Sequence, residues 1–214
     1  MFLLRGNHES RTMQEEYTFM DECLEKFGDK HGPKVMEKVN TVFDVLPLVA
    51  IIDHSIYCAH GGIPSLVNKV SDIENKVPTY LPEPDTNNQV ASEILWNDPI
   101  TNREYQDMVK NTQQGQQDSK FMKEGFLQNL KRNTGAYYSE DALKRFLKNN
   151  SLTNLIRAHE VIPQGFRYHL NGQCLTVFSC SKYCDENNDA AVAYVHDSKI
   201  RVITVDTNKP VNPK

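Results

Sequence analysis

Apolar positions in this chain alternate between helical stripes and short strand-like runs. Residues 1–5 (Met-Phe-Leu-Leu-Arg) form an apolar run that ends at Gly6, which predicts a buried strand. Met13, Tyr17, Met20 and Leu24 then repeat at the helical period, and Thr12 with Glu15 makes a T-x-x-E capping box ahead of them. The pattern predicts a helix that ends at Gly28. Pro33 suits the first turn of a second helix, striped by Met36, Val39, Phe43 and Leu46 and stopped by Pro47.

Residues 48–52 and 56–58 predict two strands, the second running into a His60-Gly-Gly-Ile-Pro-Ser65 loop. Residues 78–88 are rich in Pro, Asp and Asn and predict surface loop. Residues 101–120 are polar, with a Gln-rich tract at 113–117, and predict an exposed insertion. Ser139 is placed to cap a helix carrying Leu143, Phe146 and Leu147, and residues 155–158 read as a buried strand ending at His159. The last part is β-rich. Residues 166–170 and 174–178 flank Asn171-Gly172, a type I′ hairpin signal, and residues 190–196 and 200–205 pair around Asp197-Ser198. Residues 207–214 read as a flexible tail.

Composition narrows the picture. The 214 residues, 39% apolar and 24% charged, suit one domain with a substantial core. The 24 basic and 28 acidic side chains give a net charge of −4, which argues against a broad nucleic-acid surface. No apolar run approaches the roughly 20 residues of a membrane span, and no signal peptide is legible. Five cysteines at irregular spacings (Cys23, Cys58, Cys174, Cys180 and Cys184) read as reduced thiols, so a cytoplasmic or nuclear location is expected.

Three histidines stand where predicted strands end: His8 in Arg5-Gly-Asn-His-Glu9, His60 in Cys58-Ala-His-Gly-Gly62 and His159 in Arg157-Ala-His-Glu160. Strand ends are where a sheet presents functional groups, and neutral imidazole is the commonest ligand for transition metals. His31, His54, His169 and His196 lie outside these motifs and are expected at the surface. Cys180 and Cys184 have no second Cys/His pair to complete a tetrahedral zinc site.

Five blocks occur in one order: Leu3-Leu-Arg-Gly-Asn-His-Glu9, His60-Gly-Gly62, Leu95-Trp-Asn-Asp-Pro99, Arg157-Ala-His-Glu160 and Phe178-Ser-Cys-Ser-Lys-Tyr-Cys184. From Phe2 to about Val205 the chain resembles the phosphoprotein phosphatase family of metal-dependent serine/threonine phosphatases. The resemblance implies an α/β (α+β) calcineurin-like metallophosphoesterase fold, a central β-sandwich flanked by helices, as one partial catalytic domain over residues 1–206. It implies hydrolysis of phosphoserine and phosphothreonine by direct attack of a hydroxide bridging two metals, with manganese, iron or zinc as the ions. Asn7, His60 and His159 resemble the ligands of the second metal. His8 resembles the general acid that protonates the leaving alkoxide, and Arg132 the phosphate clamp. Tyr183 resembles the tyrosine over the phosphate pocket, and Asp98 a carboxylate beside the site. Phosphoprotein substrates and regulatory subunits are the implied partners, with no nucleic acid and no membrane.

The departures are specific. The family carries GDxHG and GDxVDRG blocks before the Asn-His-Glu motif, and the chain is expected to be an N-terminally truncated form lacking them. It would hold at most one metal, would not be a competent phosphatase alone, and would leave an unpaired sheet edge near residues 1–5. Asn133 replaces the family's Gly after the clamp arginine, and Ser179-Cys-Ser-Lys-Tyr183 replaces Ser-Ala-Pro-Asn-Tyr. Two alternatives stay open. One is another metallophosphoesterase, although Val161 stands where a Gly-His-x-His block would have its second His. The other is a non-catalytic scaffold or regulatory pseudophosphatase.

Overall fold

A computed structural model describes residues 1–111 and 123–205. The Gln-rich tract at 113–117 and the tail at 207–214 lie outside the described residues. Among the described residues, seven α-helices and ten strands follow one another: α1 (Arg11–Glu16), α2 (Phe19–Phe43), β1 (Val49–Ile52), β2 (Ile56–Ala59), α3 (Val70–Lys76), α4 (Pro84–Asn87), α5 (Gln89–Trp96), β3 (Asp98–Pro99), α6 (Asn102–Asn111), β4 (Phe126–Gln128), β5 (Ala136–Tyr138), α7 (Glu140–Asn149), β6 (Asn154–Arg157), β7 (Phe166–His169), β8 (Cys174–Val177), β9 (Ala190–His196) and β10 (Lys199–Val205).

A five-stranded sheet in the order β1-β2-β6-β8-β7 forms the centre. Its three middle strands run parallel, and antiparallel β1 and β7 close the edges. A three-stranded sheet (β3-β5-β4) and a two-stranded ribbon (β9-β10) accompany it. The core lies between the central sheet and helices α5 and α7: Tyr57 and Leu155 from β2 and β6 pack with Ile94, Leu95, Leu143 and Leu147. Ser139 caps α7 as the sequence predicts, its hydroxyl accepting from the Ala142 amide at 3.2 Å.

The helical stripe from Thr12 is interrupted. Ser10, not Thr12, precedes α1, and Tyr17 leaves the helix in an extended conformation. Gly28 does end a helical segment, but as a kink within α2 rather than a gap. Its φ of 72° lies in the left-handed region, which glycine enters without a Cβ penalty.

Four further expectations are corrected. Residues 1–5 form no strand: Met1 and Phe2 are fully exposed, and the buried residue is Arg5. Its guanidinium donates to the Glu9 carbonyl and, at 2.5 Å, to the Leu81 carbonyl, while its amide donates to Pro47. The Arg5 amide is thereby committed to a loop carbonyl rather than to a neighbouring strand. The first half of the predicted insertion is helix α6, which buries Tyr105 against Ile100. The Asn171-Gly172 hairpin has a four-residue connection, since His169 pairs with Cys174. The two-residue turn is instead Asp197-Ser198, with φ of 49° and 56°. Finally, His169 is buried and shares a 3.0 Å hydrogen bond with the Thr176 hydroxyl.

Candidate active site

Asn7 sits in a short 3-10 turn, Asn7–Glu9, entered through Gly6. The Gly6 amide donates to the Glu9 carboxylate at 2.7 Å, which pins the turn. A Cβ on Gly6 would meet that carboxylate at 2.7 Å and the His60 ring at 3.0 Å, so only glycine lets the turn approach His60. His60 directly follows β2, and His159 lies two positions past β6. Because β2 and β6 run parallel, both histidines leave the sheet at the same end. The Ala158 amide donates to the His60 carbonyl at 2.9 Å and ties the two loops together. His159 itself has φ of 66°, a strained conformation for a non-glycine residue.

These elements bring Asn7, His60 and His159 to one point. His60 Nε2 lies 2.7 Å from Asn7 Oδ1 and 3.1 Å from His159 Nδ1. One imidazole nitrogen thus faces two other electron-rich atoms, a crowding that a shared proton or a cation relieves. Ligands about 2.0–2.3 Å from one ion at right angles are about 3 Å apart, so the spacing fits a common metal. His159 Nε2 is buried without a hydrogen-bond partner among the described residues. With the proton on Nε2, the Nδ1 lone pair points to the cluster.

The electrostatics agree. Burial, followed by Arg157, His8 and Arg132, pushes His60 down to about 3. Burial, Arg157 and His60 push His159 down still further. Both rings are therefore neutral at physiological pH. Asn7 is neutral too, so the three donors offer no negative charge. Among the described residues no three His, Cys, Asp or Glu side chains gather as an all-titratable metal set.

A cleft of about 770 Å³ opens over the cluster, lined by Asn7, His8, His60, Arg132, His159 and Tyr183. His8 is exposed, its ring 5.0 Å from that of Tyr17. Tyr183 stands at the rim, edge-on to Phe178 at 5.3 Å. Asp98 lies in a second cleft of about 550 Å³ that shares Arg132 with the first. Asp98 binds Arg132 Nε at 2.5 Å and Arg157 Nη2 at 2.8 Å, and accepts from Asn129 at 3.0 Å.

Sequence reasoning did not single out Arg157, although it lies within a recognised block. Its buried guanidinium also donates to the Gly61 carbonyl and to Glu160, both at 2.7 Å. Trp96 was likewise passed over. It packs T-shaped on His159 at 5.4 Å and donates to Asp85 at 2.6 Å. Their positions inside the Trp-Asn-Asp-Pro and Arg-Ala-His-Glu motifs were the available signals.

Strand-end histidines on a mixed sheet face this polar cleft, and a family model described as Calcineurin-like phosphoesterase matches residues 1–163. The chain belongs to that family. It is 34% identical over 227 residues to a protein phosphatase 2A catalytic subunit of Dictyostelium discoideum, covering 97% of this chain and 62% of the relative. It is 32% identical to the Serine/threonine-protein phosphatase 6 catalytic subunit of Caenorhabditis elegans, covering 93% of this chain and 52% of that one. Among solved structures it resembles a protein serine/threonine phosphatase from Saccharomyces cerevisiae, described as similar to human phosphatase PP5. The TM-score is 0.74 at 26% identity, over 100% of this chain and 62% of the other. The chain thus spans between half and two thirds of the length of these relatives.

Proposed function

We propose that this chain carries one half of a serine/threonine protein phosphatase site. The observation that supports this reading is the Asn7, His60 and His159 cluster, at 2.7 and 3.1 Å, on the floor of the cleft that His8, Arg132 and Tyr183 wall. Asn7 Oδ1, His60 Nε2 and His159 Nδ1 would hold one divalent ion, with manganese, iron or zinc suited to two imidazoles and an amide oxygen. Such an ion would draw off phosphate charge and make water a better nucleophile at neutral pH.

The chain's own groups then divide the work. Arg132, oriented through Nε by Asp98, presents a planar fork to two phosphate oxygens and follows their charge into the transition state. His8 holds a proton for the serine or threonine oxygen, whose alkoxide is a poor leaving group. Tyr183 bounds the pocket at the rim. Two relatives are named catalytic subunits, which supports phosphoprotein substrates and regulatory subunits as partners.

The test is a chimera in which this chain follows the GDxHG and GDxVDRG blocks of a protein phosphatase, with folding checked by circular dichroism. Manganese-dependent phosphate release from a phosphothreonine peptide is expected, reduced about 10²–10⁴-fold by His8→Ala. The unfused chain, with three uncharged donors, is expected to show no comparable turnover. A folded chimera that cleaves bis-p-nitrophenyl phosphate but not the phosphopeptide would overturn the assignment in favour of another phosphoesterase.

A further inference from the structure

Two exposed thiols, Cys180 and Cys184, flank Tyr183 on the loop at the mouth of the cleft, and the proposed hydrolysis uses neither. One buried side chain cross-braces this loop. Asn188 donates through Nδ2 to the Cys180 carbonyl at 2.7 Å and accepts through Oδ1 from the Tyr183 amide at 2.9 Å. The Lys182 amide donates to the Asn188 carbonyl at 3.0 Å, and the Glu186 amide to the Tyr183 carbonyl at 3.1 Å. Lys182, Cys184 and Asp185 all adopt left-handed backbone, with φ of 52°, 53° and 63°, so the segment coils tightly on itself. Burial first, then Cys184, Tyr17 and Cys180, raise the Tyr183 phenol above its ordinary value. One Asn188 side chain thus holds both the Cys180 carbonyl and the amide of Tyr183, the residue next to Cys184.

The other three cysteines are protected. Cys23 and Cys174 are buried and Cys58 is half-buried, and burial pushes the Cys58 and Cys174 thiols up to about 11. An oxidant in solution thus meets the two rim thiols first.

We propose that Cys180 and Cys184 are a redox modification site, closing to a reversible disulfide when a peroxide oxidises them. One thiol takes an oxygen from hydrogen peroxide to give a sulfenic acid and water. The second attacks that sulfur, and hydroxide leaves with the displaced proton as a second water. Two thiols lose two electrons and one peroxide gains them. Excess small-molecule thiol reverses the step by exchange. The closed ring spans Tyr183 and holds it at the rim. This inference does not depend on the phosphatase reading, because bond formation is observed directly.

Lys182 lies between the two cysteines, which makes the test specific. The full chain is treated with hydrogen peroxide at pH 8, alkylated and digested with trypsin. The cut after Lys182 separates residues 168–182 from residues 183–199, so only a disulfide keeps the two peptides together. Expected is a linked pair two hydrogens lighter than the sum, abolished by dithiothreitol and by Cys180→Ser but retained in Cys174→Ser. Hydrogen exchange at the Tyr183 amide is expected to slow in the oxidised chain. Recovery of Cys180 and Cys184 as separate sulfinic or sulfonic acids, or as links between two chains, would overturn the site. Unchanged exchange at Tyr183 would overturn the claim that the ring restrains it.

Discussion

Arg132 reaches Asp98 through Nε at 2.5 Å across thirty-four positions of sequence, and Asp98 gives its other oxygen to Arg157 at 2.8 Å. One buried carboxylate thus balances two cations. Arg157 has no exposed side-chain surface, so removing its counter-charge strands a guanidinium in the interior. Asp98→Ala is expected to destabilise the fold by about 3–5 kcal/mol, read from urea unfolding. An unchanged midpoint would mean that Glu160 and the loop carbonyls satisfy Arg157 unaided.

Arg132 itself is only partly buried, and its role in the proposal is to grip phosphate. In the chimera, Arg132→Ala should lower kcat/KM by about 2–4 kcal/mol, the scale of one charged transition-state contact. Arg132→Lys should recover only part of the loss, because an ammonium cannot match two oxygens at once. A rate equal to the parent's would return Arg132 to a purely structural pairing with Asp98.

Metal binding can be measured on the chain alone. Calorimetric titration with manganese is expected to show one weak site per chain, because the three donors carry no negative charge. His60→Ala and His159→Ala should each abolish it, and manganese should broaden the NMR signals of those two rings selectively. Undiminished binding in both variants would move the ion elsewhere.

His169 supplies a pH prediction away from the cleft. Burial, Arg167 and Arg157 push it down to about 4, against about 6.5 in an unfolded chain. The folded state therefore favours neutral imidazole. Its contribution is fully present above pH 6.5 and is lost as pH falls from 6.5 towards 4, while the unfolded chain binds the proton first. Thermal melts over that range should show a shallower acid decline for His169→Gln than for the parent. Identical slopes would place the acid sensitivity on other groups.

A smaller prediction concerns α7. Ser139→Ala removes the hydroxyl that accepts from the Ala142 amide and should cost about 1 kcal/mol in urea unfolding. Ser139→Asp should retain most of the stability, since its carboxylate can accept the same bond.

Legibility from sequence was uneven for physical reasons. The strands that position His60 and His159, and the helix that Ser139 caps, were readable because apolar period and cap chemistry are local. Residues 1–5 misled because their apolar side chains stay in solvent while the one charged residue, Arg5, finds buried carbonyls from distant loops. Residues 102–111 are mostly exposed as expected, and their helix shows weakly in the sequence because it buries only Tyr105 and half-buries Met108 and Val109. Asn171-Gly172 had the stronger turn chemistry, yet sheet register assigned the two-residue turn to Asp197-Ser198. At the site, the motifs identified the residues that converge, but the 3.1 Å spacing of His60 and His159 arises from parallel pairing of β2 and β6, which no local signal encodes, and the 2.7 Å approach of Asn7 from the turn entered through Gly6.

The Arg157 guanidinium touches the loop after β2 through Gly61, the start of β3 through Asp98, and Glu160 beyond its own strand. A single planar cation is thereby shared by the central and the three-stranded sheets. Neither sheet can open by itself without exposing half of an ion pair to an apolar interior, so local fraying at this seam is suppressed. The two sheets should melt as one cooperative unit, and the protection of their amides against exchange should vanish together.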